Sequence, residues 1–102
     1  MLNEIEKFII KFSLYGKQVK LCFTERNCYW FAYILHARFP NSKIMLNTLE
    51  SHFACNINGE LYDITGKCTD KYAGEWVDWD EYQMTDSVHS ARLLETCINN
   101  GR

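Results

Sequence analysis

Two runs, HFACNI at 52–57 and ELYDIT at 60–65, flank the dipeptide Asn58-Gly59. A two-residue hairpin turn of type I′ needs φ > 0 at both central positions, and Asn-Gly meets that need at little steric cost. The two runs therefore pair as an antiparallel hairpin of defined register. Ile57 faces Glu60, Ala54 faces Asp63 and His52 faces Thr65. Alternation then puts His52, Ala54, Asn56, Leu61, Asp63 and Thr65 on one face. Phe53, Ile57, Tyr62 and Ile64 lie on the other, a good core face. His52 and Asp63 become diagonal neighbours, and the small Ala54 leaves room for an imidazole to lean across. A one-residue slip would send each side chain to the wrong face.

The rest of the chain supplies helices to cover that core face. Leu2, Ile5, Phe8, Ile9 and Phe12 recur at helical spacing over 2–13, with Asn3 as cap and Gly16 beyond the end. Gln18 to Phe23 reads as a short strand. Thr24 and Asn27 are both candidate N-caps for a helix through CYWFAYILHARF, which must stop before Pro40. That helix is apolar nearly all round, the pattern of a central buried helix. Ile44 to Leu46 is a further strand. Residues 67–84 read as a loop with one strand near Glu75–Val77. Thr85 or Asp86 caps a last helix with Val88, Ala91, Leu93, Leu94 and Ile98 on its apolar side and Gly101 at its end. The sum is an α+β domain: a central apolar helix on a small antiparallel sheet, with N- and C-terminal helices.

At 102 residues this is one domain, 1–102. With 47% apolar and 15% aromatic residues, a core forms without metal or disulfide support. The formal charge of −2, with no Lys/Arg block, gives no reason to expect direct nucleic-acid binding. No apolar run approaches the roughly 20 residues of a membrane span, and the acidic start MLNEIEKF is no signal peptide. Five cysteines (Cys22, Cys28, Cys55, Cys68, Cys97) without a signal peptide fit free thiols in a reducing, cytoplasmic setting. The length suits a complete small protein of a bacterium or mobile element. Composition leaves oligomeric state open.

Chemistry concentrates on Cys28, His52 and Asp63. If Asn27 is the N-cap, Cys28 is the first helical residue. Helix N-terminal NH groups and the macrodipole then lower its thiol pKa. The same NH groups, with the Asn27 side chain, can donate to an oxyanion. If the helix starts at Thr24, Cys28 falls in its second turn and that argument weakens. A thiol, a histidine to take its proton and a carboxylate to orient the histidine make an activated nucleophile.

The stretches NCYWFAYILHARFP and SHFACNINGELYDITG resemble a reduced papain-like or transglutaminase-like core over 27–66. There a helix-opening Cys is followed by a His on a strand and an Asp on the next, ending in Asp-x-Thr. The resemblance implies that Cys28 is nucleophile, His52 base and Asp63 orienting residue, acting on an amide or thioester of a protein or peptide without a cofactor. The Cys-to-His interval is short for a papain-type enzyme, and no glutamine precedes Cys28.

Other constellations carry less. His52 and Cys55, three apart on a strand, point to opposite faces, and Cys55, Cys68, His89 and Cys97 show no zinc spacing, so no metal is expected. His36 and His89 belong to helix surfaces or boundaries. Residues 75–86, EWVDWDEYQMTD, set acids beside aromatic rings. They read as a solvated loop or, in a non-catalytic interaction or inhibitor protein from a phage, as a contact surface for a basic protein partner. In that alternative Trp76, Asp78, Trp79, Asp80 and Tyr82 bind the partner.

Overall fold

The computed structural model describes residues 2–14 and 28–99, the last four by backbone alone. The expected strand at 18–23, the caps Thr24 and Asn27, Gly16, Gly101 and the side chains of Cys22, Cys97 and Ile98 lie outside the described residues.

Helix α1 (Glu4–Ser13) opens on Asn3, whose side chain accepts the Glu6 N–H at 2.8 Å while the Glu6 carboxylate accepts the Asn3 N–H at 3.2 Å. This reciprocal box satisfies two of the four orphan donors of a helix start. Helix α2 (Cys28–Arg38) buries Cys28, Phe31, Ala32 and Leu35, one stripe at i, i+3, i+4 and i+7. Its apolar composition does not bury it all round, because Trp30 and Tyr33 face solvent.

Strands β1 (Ser42–Asn47), β2 (His52–Ile57), β3 (Glu60–Asp63), β4 (Gly66–Lys67) and β5 (Trp76–Asp78) form one antiparallel sheet in the order β4-β3-β2-β1-β5. The β2–β3 turn has Asn58 at φ 56° and Gly59 at φ 85°. Cys55 pairs with Tyr62, Asn56 with Leu61 and Ile57 with Glu60, the register a two-residue turn imposes.

Helices α3 (Trp79–Thr85) and α4 (Ser87–Asn99) complete an α+β fold. Within residues 67–84 the strand expected near Glu75–Val77 is present as β5, and a helix follows it where loop was expected. Asp78 accepts the N–H groups of Asp80 and Glu81, and this cap starts α3 directly from the end of β5. Asp86 accepts the His89 N–H at 3.0 Å and caps α4 in the same way. Along α4 the packed side is Ser90, Leu93 and Leu94, while Ala91 is exposed and Val88 is 67% exposed, against their expected inward placement. The small Ser90 fits the crowded side, with its hydroxyl bonded to the Ser87 carbonyl.

The core has three parts. Ile5, Ile9, Phe31, Leu35, Cys55, Ile57, Tyr62 and Ile64 join α1 and α2 to the sheet. Cys28, Ala32, Leu46, Phe53 and Trp79 join α2 to α3. Ala54, Leu61 and Cys68 lie on the opposite sheet face, covered by Met45, Tyr72 and Trp76. No described helix is long and apolar enough to cross a membrane.

Candidate active site

His52 opens β2 and Asp63 closes β3, and the hairpin register brings them together. Nε2 of His52 lies 2.9 Å from Oδ2 of Asp63. Both are buried, His52 at 8% exposure and Asp63 at 3%. The Asp63 carboxylate also accepts the Thr65 N–H at 2.8 Å, the Thr65 hydroxyl, and the Tyr72 hydroxyl at 3.2 Å.

Burial alone would raise the Asp63 pKa. The hydrogen bonds from His52 and Thr65 outweigh it and pull the carboxyl down to about 2. An ionised carboxylate only accepts, so the proton shared with His52 sits on Nε2. The other ring nitrogen, Nδ1, is the one nearer the main chain.

Segment 68–76 roofs the pair. The Tyr72 ring lies 4.6 Å from the imidazole at 35°, and Trp76 meets it edge-on at 6.2 Å. Burial, then the Asp63 charge, hold both the Cys68 thiol and the Tyr72 hydroxyl well above their ordinary values, so both stay protonated. The Trp76 indole N–H is buried without a hydrogen-bond partner. Outside the roof, Lys71 donates to the Thr65 hydroxyl at 3.0 Å and links the buried acid to the surface.

Two contacts hold the roof down. The Asn47 side chain, paired across the sheet with both His52 and Trp76, donates to the Ala73 carbonyl at 2.9 Å and accepts the Glu50 N–H. Gly74 at φ 97° passes so close that a Cβ there would sit 2.8 Å from Cβ of Leu49.

Cys28, 9% exposed, is walled by Ala32, Leu46, Phe53 and Trp79. Its sulfur accepts the Phe53 backbone N–H at 3.5 Å. That nitrogen is bonded to the His52 carbonyl carbon, so the thiol lies against the peptide that follows His52. Asn27 lies outside the described residues.

The residues of the acidic aromatic segment do not share one face. Trp79, 2% exposed, packs on Phe53 at 4.8 Å in the helix-side core, and Tyr82 stacks on it, half-buried. Trp76, on the same strand register as Asn47, covers the His52 side. Asp78 is spent on the α3 cap and on Lys43 at 3.3 Å. Asp80 is exposed.

Among the described residues no three His, Cys, Asp or Glu side chains converge on a metal position. His52 and Cys55 lie on opposite sheet faces, and the His36 Nδ1 is 2.9 Å from the Ser42 hydroxyl.

Thr65, Cys68 and Tyr72 escaped the reading of the sequence as site residues, and Trp76 was expected on a partner surface rather than against His52. The Asp63-x-Thr65 spacing was the available signal, since Asp commonly accepts from the N–H two residues on. A family described as phage YunG-like protein matches residues 9–95. No curated protein and no solved structure matches the chain.

Proposed function

The chain belongs to the phage YunG-like family, and we propose that it is a thiol enzyme acting on an amide or thioester through Cys28, His52 and Asp63. The observation that carries this is the buried 2.9 Å His52–Asp63 contact with the Cys28 sulfur against the next peptide. In this mechanism Asp63 stays ionised and fixes the Nε2–H tautomer. Nδ1 takes the Cys28 proton, and the thiolate attacks the acyl carbon. The imidazolium returns the proton to the departing amine or thiol. Water or an amine then attacks the acyl-enzyme, loses a proton to His52 and releases Cys28. The papain-like or transglutaminase-like resemblance of 27–66 supports the same three roles.

The reading is tested by alkylation with iodoacetamide near neutral pH. Cys28 labels ahead of Cys55 and Cys68, whose pKa values burial raises, and His52→Ala suppresses the Cys28 rate. A Cys28 that reacts no faster in the wild type than in His52→Ala sinks the proposal.

A second reading, a phage-encoded binding protein without catalysis, draws on the family match and on the exposed Asp80, Glu81, Met84 and Val88 of α3 and α4. The burial of Trp79 removes its strongest aromatic anchor. It predicts that Asp80→Lys with Glu81→Lys abolishes capture of a basic partner while Cys28→Ala does not.

A further inference from the structure

An open groove of about 590 Å³ lies between α1 and the end of α2, lined by Glu4, Lys7, Phe8, Lys11, Phe12 and Arg38. It is far from the thiol: Arg38 stands ten residues beyond Cys28 on the same helix, about 15 Å along its axis. Its charges are unbalanced. Three cations face one acid, although the chain as a whole carries −2. Among the described residues the ion pairs are Lys43–Asp78, His52–Asp63 and Lys67–Glu60, so none of the three groove cations has an acidic partner.

Helix physics accounts for only part of this arrangement. Lys7 and Lys11 are four apart on one face, where like charges repel. The macrodipole accounts for Lys11 in the last turn of α1, and Glu4, three residues before Lys7, offsets that residue's repulsion. Arg38 is held by rings, its guanidinium 4.9 Å from the Phe39 centroid and 5.8 Å from that of Phe8. A guanidinium oriented by aromatic faces keeps its N–H fork available for a bidentate anion.

We propose that this groove binds a nucleoside polyphosphate, with Lys7, Lys11 and Arg38 on the phosphate chain and the half-buried rings of Phe8 and Phe12 against the base. Carboxylates of an acidic peptide are spread along an extended chain, whereas a phosphate chain concentrates its charge as these side chains do. The volume is that of a site for one small molecule. The proposal is independent of Cys28 chemistry.

Calorimetric titration of the full chain with ATP, inorganic tripolyphosphate and adenosine tests it. ATP binds at least about tenfold tighter than tripolyphosphate, adenosine does not bind, and added salt weakens ATP binding. Lys7→Gln, at an exposed helical position, weakens ATP about tenfold and leaves Tm in the absence of ligand nearly unchanged, because the lost Lys7–Lys11 repulsion is offset by the lost Glu4–Lys7 attraction. No heat with ATP, equal affinity for tripolyphosphate, or unchanged ATP affinity in Lys7→Gln overturns the proposal.

Discussion

Tyr72 touches both His52 and its acid: its ring lies 4.6 Å from the imidazole, and its hydroxyl donates to the same Asp63 oxygen that holds Nε2. One side chain thus fixes the plane of the imidazole and the acid behind it. The two contacts separate by mutation. Tyr72→Phe keeps the ring and removes the hydroxyl, at a cost of about 1–2 kcal/mol in urea unfolding. Tyr72→Ala also unroofs His52 and costs about 3–5 kcal/mol. If the two variants are equally stable, the ring does not hold the site.

Asp63 makes stability depend on acid. Its folded pKa of about 2 lies below the ordinary 3.8. The unfolded chain therefore binds this proton first as pH falls. The contribution is fully present above about pH 4 and is lost as pH drops towards 2, on the order of 2 kcal/mol in all. Urea midpoints measured across this window fall in the wild type and change less in Asp63→Asn. A parallel fall in both would mean that other carboxyls carry the acid limb.

Gly74→Ala acts on the site from a distance. The residue sits at φ 97°, where L side chains are strained, and its new Cβ meets Leu49. A loss of about 1–3 kcal/mol follows. Amide exchange should quicken through 68–76 while α1 keeps its protection. Leu49→Gly takes away the clashing Cβ but not the strain at Gly74, so the double variant recovers at most part of the loss.

Trp79→Ala unfolds rather than disarms. The indole is in the core against Tyr29 and Phe53, so the variant loses about 3–5 kcal/mol. Thermal unfolding by circular dichroism checks this. A variant with wild-type Tm would return Trp79 to the surface.

The hairpin was legible because Asn58-Gly59 dictates turn and register locally, and with it the His52–Asp63 pairing. Helix α1 was legible from its cap and stripe. The roof was not. Cys68, Tyr72 and Trp76 follow no single period, and what places them is the close pass of Gly74 over Leu49 and the Asn47 bond to Ala73, both set by tertiary contact. The same non-local packing turned Val88 outward, since the side of α4 that meets its neighbours is chosen by the small Ser90 rather than by apolarity.

A carboxylate that gathers donors from His52, Thr65 and Tyr72 also has a consequence for how the chain finds its fold. Sliding β3 by one residue against β2 would turn Asp63 towards Phe31 and Leu35, where a charge has no partner and burial costs several kcal/mol. Misregistered hairpins are thereby destabilised relative to the native pairing. The acid that pairs with His52 thus also selects the register of its own strand.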